Sequence, residues 1–189
     1  MIDGVEIDGE LFDIARRYFG LRPRPQLREH TEDARPFLRR TSARYDAIFV
    51  DAYRQPYIPF YLSTREFFEL ARDRLAPGGI VVLNVGHPRS NDQLEKVLTA
   101  TMGAAFEHVA RDPVQPTNTL LLASRRPISR DALLQASRTL PGVLRPLALQ
   151  TANRLEGPLR GGAVYTDDKA PVEWLIDKSI VQYAADGED

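Results

Sequence analysis

The side chains in this sequence best suited to chemistry are acids at the ends of short apolar runs. Glu6 and Asp8 lie at and just after the run Gly4-Val5-Glu6-Ile7, Asp33 follows Gln26–His30, and Asp51 closes Tyr45-Asp46-Ala47-Ile48-Phe49-Val50. An acid at the end of a strand, beside a nucleotide pocket, can accept both hydroxyls of a ribose. Glu6 stands in such a position, with Asp8 as a second candidate, although Asp8 equally suits a helix N-cap. Asp33 opens a helix, where its carboxylate can accept from an adenine amino group while the Ala34 N–H meets a ring nitrogen. The plainer role for Asp33 is a first-turn acid favoured by the helix dipole.

Asp51 is the sharper case. A carboxylate after so apolar a run belongs at the mouth of a sheet, where partial desolvation would make it a better base. Tyr53, Tyr57, Phe60 and Tyr61 crowd the segment that follows. They suit an aromatic lid or an apolar channel for an alkyl amine, and they equally suit packing of the loop onto the sheet. Asp167-Asp168 can hold a cation or an amine, or form a solvated acidic turn. His30 and His87 have no ligand spacing between them, so no metal site is expected. Neither a G-x-S-x-G elbow nor a G-x-x-x-x-G-K-[ST] loop is present.

The elements that would carry these acids follow from periodicity. Gly4–Ile7 reads as a strand, and Leu11, Ile14, Ala15, Tyr18 and Phe19 recur at helical spacing up to Gly20. Gln26–His30 reads as a short strand and Asp33–Arg40 as a helix. Tyr45–Val50 is nearly continuous in apolar residues, as a strand covered on both faces should be. Thr64 caps a helix over Arg65–Leu75, Ala76-Pro77-Gly78-Gly79 is a stop-and-turn, and Ile80–Val85 is a second buried strand. Asn91–Met102 is amphipathic helix. Phe106–Ala110 and Thr117–Ala123 form an antiparallel pair at the sheet edge. Ser129–Leu140 and Leu144–Leu155 are helical, and the tail from Tyr165 to Trp174 has no clean period. The class is therefore α/β with a mainly parallel sheet. Residues 1–126 are expected to form the sheet domain, and 127–189 a helical extension and tail packed on it.

Composition narrows the functions. Across 189 residues the net charge is -1, with 43% hydrophobic and 27% charged residues, so nothing favours nucleic acid or an anionic membrane as partner. The absence of cysteine removes disulfides, thiolate ligands and cysteine nucleophiles, and fits a reducing, cytoplasmic setting. No apolar run approaches the roughly 20 residues that span a bilayer.

The order of the motifs carries a resemblance. Gly4-Val5-Glu6-Ile7-Asp8, Glu32-Asp33-Ala34-Arg35-Pro36-Phe37-Leu38, Tyr45 through Tyr53, and Leu75-Ala76-Pro77-Gly78-Gly79-Ile80 follow one another. Asn118-Thr119-Leu120-Leu121-Leu122-Ala123-Ser124 and Thr166 through Glu173 come after them. Together they resemble the spermidine synthase (polyamine aminopropyltransferase) family. The likeness is closest to a bacterial branch in which the domain is often fused to a membrane transporter-like segment. It implies a Rossmann-like, class I methyltransferase-type sheet with an antiparallel edge. The implied reaction is aminopropyl transfer from decarboxylated S-adenosylmethionine to a polyamine such as putrescine, with methylthioadenosine as product. No tightly bound cofactor is implied.

Under the resemblance Glu6 holds the ribose, Asp33 the adenine edge, and Asp51 takes the amine's proton. Two departures accompany it. Arg54 occupies the position of a second acid and would repel a cationic diamine, and Pro113–Pro116 replaces a region that usually carries a tyrosine. The family's first strand and glycine-rich loop are also missing. That strand would lie between the strand ending at Glu6 and the one ending at Asp51. A homodimer, or a partner segment completing the sheet, is the corresponding expectation. The alternatives are a class I methyltransferase and a non-catalytic interaction module.

Overall fold

The computed structural model describes residues 1–53, 58–89 and 91–186. These form two compact units, Met1–Ala43 and Arg44–Asp189. The expected division between residues 126 and 127 falls inside the second unit.

The first unit is a β-α-β-α segment. Strands β1 (Ile2–Glu6) and β2 (Leu27–Thr31) pair in parallel, with Glu6 opposite Thr31. Helix α1 (Glu10–Tyr18) connects them, and α2 (Ala34–Arg40) follows β2. Beyond α1, Gly20 takes φ 71°, a left-handed turn that glycine adopts without a Cβ clash, and the Leu21 N–H returns to the Ala15 carbonyl. Phe37 and Leu38 of α2 are buried, as their spacing predicts.

The second unit carries a four-stranded sheet in the order β3-β4-β6-β5. β3 (Tyr45–Val50) and β4 (Leu75–Gly86) are parallel. β6 (Asn118–Ser124) runs antiparallel to both β4 and β5 (His108–Gln115), which gives the antiparallel edge expected from the sequence. Between β3 and β4 come a short 3-10 turn, Phe60–Leu62, and helix α3 (Arg65–Asp73). Helix α4 (Gln93–Ala105) follows β4. Phe67 and Phe68 of α3, Leu98 and Met102 of α4, and Val81, Val85 and Leu121 of the sheet are almost fully buried together. Each such side chain contributes roughly 1.5–3 kcal/mol of transfer free energy.

The joint before β4 explains its glycine pair. Gly78 has φ 85°, and a Cβ on Gly79 would stand 2.7 Å from the Tyr45 carbonyl oxygen, so β3 and β4 can approach there only through glycine. Where a turn ending before Ile80 is expected, the ladder begins already at Tyr45–Leu75, with a register irregularity before Ala47–Ile80.

Two expectations need correction. β3 is not covered on both faces: only Val50 is buried, and Phe49 is 76% exposed. Among the described residues β3 is laddered only to β4. The tail is also more regular than its sequence suggests. Val172–Asp186 forms helix α7, with Val172 and Ile176 buried one turn apart.

Helices α5 (Arg130–Ser137) and α6 (Arg145–Arg154) pack on each other, and Ser129 caps α5 by accepting the Ala132 N–H, as expected. Arg154 ties α6 to β5 through a two-pronged pair with Asp112, at 2.6 and 3.0 Å. No helix of the described residues is long and apolar enough to cross a membrane.

Candidate functional site

In the first unit the acids gather at the carboxyl ends of β1 and β2, where a parallel sheet offers its ligand positions. Glu6 ends β1, and its Oε1 accepts the Asp8 N–H at 3.0 Å. Asp8 accepts the Glu10 N–H at 3.0 Å, so it caps the first turn of α1 from one position ahead of Gly9. At the end of β2 the Glu32 N–H bonds the Glu6 carbonyl. Asp33 is the N-cap of α2 and accepts the Arg35 N–H at 2.8 Å, with Ala34 as the first helical residue. These residues thus form one cluster of half-buried and exposed carboxylates beside a helix N-terminus. An open groove of about 560 Å³ in the same unit is lined by Ile2, Phe19, Arg22 and Leu27, among others, and so lies at the opposite ends of the strands.

In the second unit Asp51 directly follows β3, and an ordered polar chain meets it. Asn84 on β4 donates from Nδ2 to Asp51 Oδ1 at 2.9 Å. Asn118, opening β6, donates from Nδ2 to Asn84 Oδ1 at 2.7 Å. The Tyr53 hydroxyl donates to the Asn84 carbonyl at 2.9 Å and accepts the Gly86 N–H at 2.8 Å. Burial pushes the Tyr53 phenol above its ordinary range; the Gly86 N–H opposes this and the Asp51 charge adds to it. Tyr53 is thus a neutral strut between the segment after β3 and the end of β4, rather than part of a free aromatic lid. Asp51 itself is exposed. Arg54 and Tyr57 lie outside the described residues. Phe60 stacks edge-on to Tyr61 and remains 46% exposed.

Beside this chain lies a second polar group that sequence reasoning missed. Glu95 of α4 is buried and accepts from the Arg111 guanidinium of β5. The His87 Nε2 lies 3.1 Å from Thr119 Oγ1 and 3.6 Å from Glu95. The missed asparagines and His87 share one signal: they sit at the end of β4 or the start of β6, next to the carboxyl end of β3.

Asp167 and Asp168 are placed differently from Asp51. Asp167 accepts the Thr64 hydroxyl at 2.8 Å and donates its own N–H to Glu66 at 3.0 Å, which docks the tail on the N-terminus of α3. Asp168 is exposed. Glu66 is held below the usual carboxylate range: burial opposes the shift, but its own N–H, the Asp167 N–H and Arg65 outweigh it.

The model of the spermine/spermidine synthase domain matches residues 1–122. The chain belongs to the spermine/spermidine synthase family. It is 32% identical over 209 residues to a protein of Bifidobacterium longum named a probable polyamine aminopropyl transferase, covering 98% of this chain and 46% of that protein. The crystal structure of a probable spermidine synthase from Corynebacterium glutamicum superposes with TM-score 0.60 at 28% identity, covering 85% of this chain and 63% of that one. The human methyltransferase-like protein 13, solved with SAH, shares the fold alone, with TM-score 0.62 at 21% identity over 86% of this chain and 73% of that one. The fold is thus Rossmann-like and methyltransferase-type, as the motifs imply. The chain spans about half the length of the curated relatives it matches.

Proposed function

We propose that the chain carries the nucleoside-binding and proton-accepting residues of a polyamine aminopropyltransferase using decarboxylated S-adenosylmethionine. The observation that carries this reading is Asp51 at the carboxyl end of β3, its carboxylate oriented by Asn84, in a member of this family. In the first unit Glu6, with Asp8 behind it, accepts the ribose hydroxyls, while Asp33 and the Ala34 N–H meet the adenine edge. In the second unit Asp51 takes a proton from the attacking amine. The amine nitrogen forms a bond to the aminopropyl carbon next to the sulfonium. The carbon–sulfur bond breaks, its electrons stay on sulfur, and methylthioadenosine leaves. The sulfonium is already a good leaving group, so positioning and one base suffice. Tyr53 braces the amine side, and Asp167 and Asp168 are assigned to the amine-facing tail. Residues 127–189 are read as an extension packed on this domain, the working form as a homodimer, and the setting as cytoplasmic, in keeping with the lack of cysteine.

The test is product analysis with the full chain, a series of diamines and triamines, and decarboxylated S-adenosylmethionine. Methylthioadenosine release that falls about a hundredfold or more in Asp51→Asn is expected. Absence of methylthioadenosine with every amine overturns the reading, and formation of S-adenosylhomocysteine from S-adenosylmethionine would point to a methyltransferase instead.

A further inference from the structure

The polar chain behind Asp51 has a direction, and that direction gives Asn118 a role. Carboxylate oxygens only accept, so the Asn84 amide must present its NH₂ end to Asp51. Its oxygen then faces Asn118, which must in turn present an NH₂ end, as the 2.7 Å contact from Asn118 Nδ2 to Asn84 Oδ1 records. The backbone around Asn84 is fixed independently, because its carbonyl accepts the Tyr53 hydroxyl at 2.9 Å. One end of this chain is not closed: Asn118 Oδ1 is buried and has no hydrogen-bond partner among the described residues. A buried acceptor left unmet lowers stability, so packing alone would favour an apolar side chain at position 118. What the asparagine supplies in return is its NH₂ group, aimed at Asn84.

We propose that Asn118 is a positioning residue for Asp51, acting through Asn84. Its NH₂ locks the Asn84 amide in the one orientation that donates to Asp51 Oδ1, leaving the second carboxylate oxygen to take the amine's proton. Without Asn118 the Asn84 amide keeps only its contact to Asp51 and is free to swing with it. Asp51 is exposed and would then sample orientations that do not meet the amine. This inference rests on the proposed role of Asp51 as base.

The experiment compares the full chain with Asn118→Leu, Asn118→Asp, Asn118→Gln and Asp51→Asn. Asn118→Leu removes the donor. Asn118→Asp keeps the shape, but its carboxylate pulls the Asn84 NH₂ away from Asp51. Both are expected to lower kcat by about ten- to a hundredfold, with KM for the nucleoside donor within about twofold of wild type. Asn118→Gln keeps an amide donor and should recover part of the loss. In parallel, the side-chain amide signals of Asn84 are followed by ¹⁵N NMR, which needs no turnover. They are expected to shift in Asp51→Asn, Asn118→Leu and Asn118→Asp.

If Asp51→Asn abolishes turnover while Asn118→Leu and Asn118→Asp turn over like wild type, the positioning role is overturned and the base reading stands. If the wild-type chain shows no turnover, the base reading fails, and the NMR signals decide the relay alone. Unchanged Asn84 signals in the Asn118 variants overturn it.

Discussion

Thr64→Val tests how the tail is held. Thr64 is fully buried; its Oγ1 accepts the Phe67 N–H at 3.3 Å and donates to Asp167 at 2.8 Å. Valine keeps the shape and removes both bonds. Loss of a side-chain N-cap costs about 1 kcal/mol. Loss of a hydrogen bond to a charged acceptor costs about 1 kcal/mol more here, below the roughly 1.5–3 kcal/mol usual for such bonds because water can replace the hydroxyl at the exposed Asp167. The total is about 2 kcal/mol, or about 4–8 °C in Tm for a chain of this size. Urea unfolding followed by the fluorescence of the single tryptophan, Trp174 in α7, reads the second unit alone. A double-mutant cycle with Asp167→Ala should give a coupling of about 1 kcal/mol. A loss below about 0.5 kcal/mol in Thr64→Val, or no coupling, refutes the docking argument. If Asp167→Ala spares stability but raises KM for the amine, Asp167 contacts substrate rather than anchoring the tail.

Three further outcomes follow from the same contacts. Burial raises both Tyr53 and Tyr165, so alkaline titration by phenolate absorbance should show Tyr53→Phe removing a step that lies above the ordinary tyrosine range. Their raised values mean that the stability they contribute is present below the ordinary tyrosine range and lost as pH rises through it. Glu66 has the opposite sign: its lowered value contributes stability at neutral pH that disappears as pH falls below the ordinary carboxylate range, so Glu66→Gln should flatten the acid limb of a stability–pH curve. Arg154→Ala leaves Asp112 buried without its guanidinium. With Arg154 about a third exposed, the loss should be about 2 kcal/mol rather than the 3–5 of a fully buried pair, with limited proteolysis opening α5 and α6 first.

What the sequence made legible was whatever depends on short-range pattern. The acid-closed runs at Glu6 and Asp51, the caps at Thr64 and Ser129, and the edge pair β5–β6 follow from period, capping chemistry and turn residues over a few positions. The misses share another cause. Phe49 belongs to an apolar run, yet whether a strand is covered depends on what packs on its faces, which the run does not encode. Asn84 and Asn118 stand 34 positions apart and meet only because β4 and β6 are laddered antiparallel, which sets Asn118 opposite Gly86, two pairs along from Asn84. Asp167 reads as a free acid until a partner 103 positions away claims it. Polar side chains bury favourably only when matched, and their matches here are made by topology rather than by neighbours in sequence. The acid proposed as the base can therefore be found by pattern, while the amides proposed to aim it become visible only once the strands are side by side.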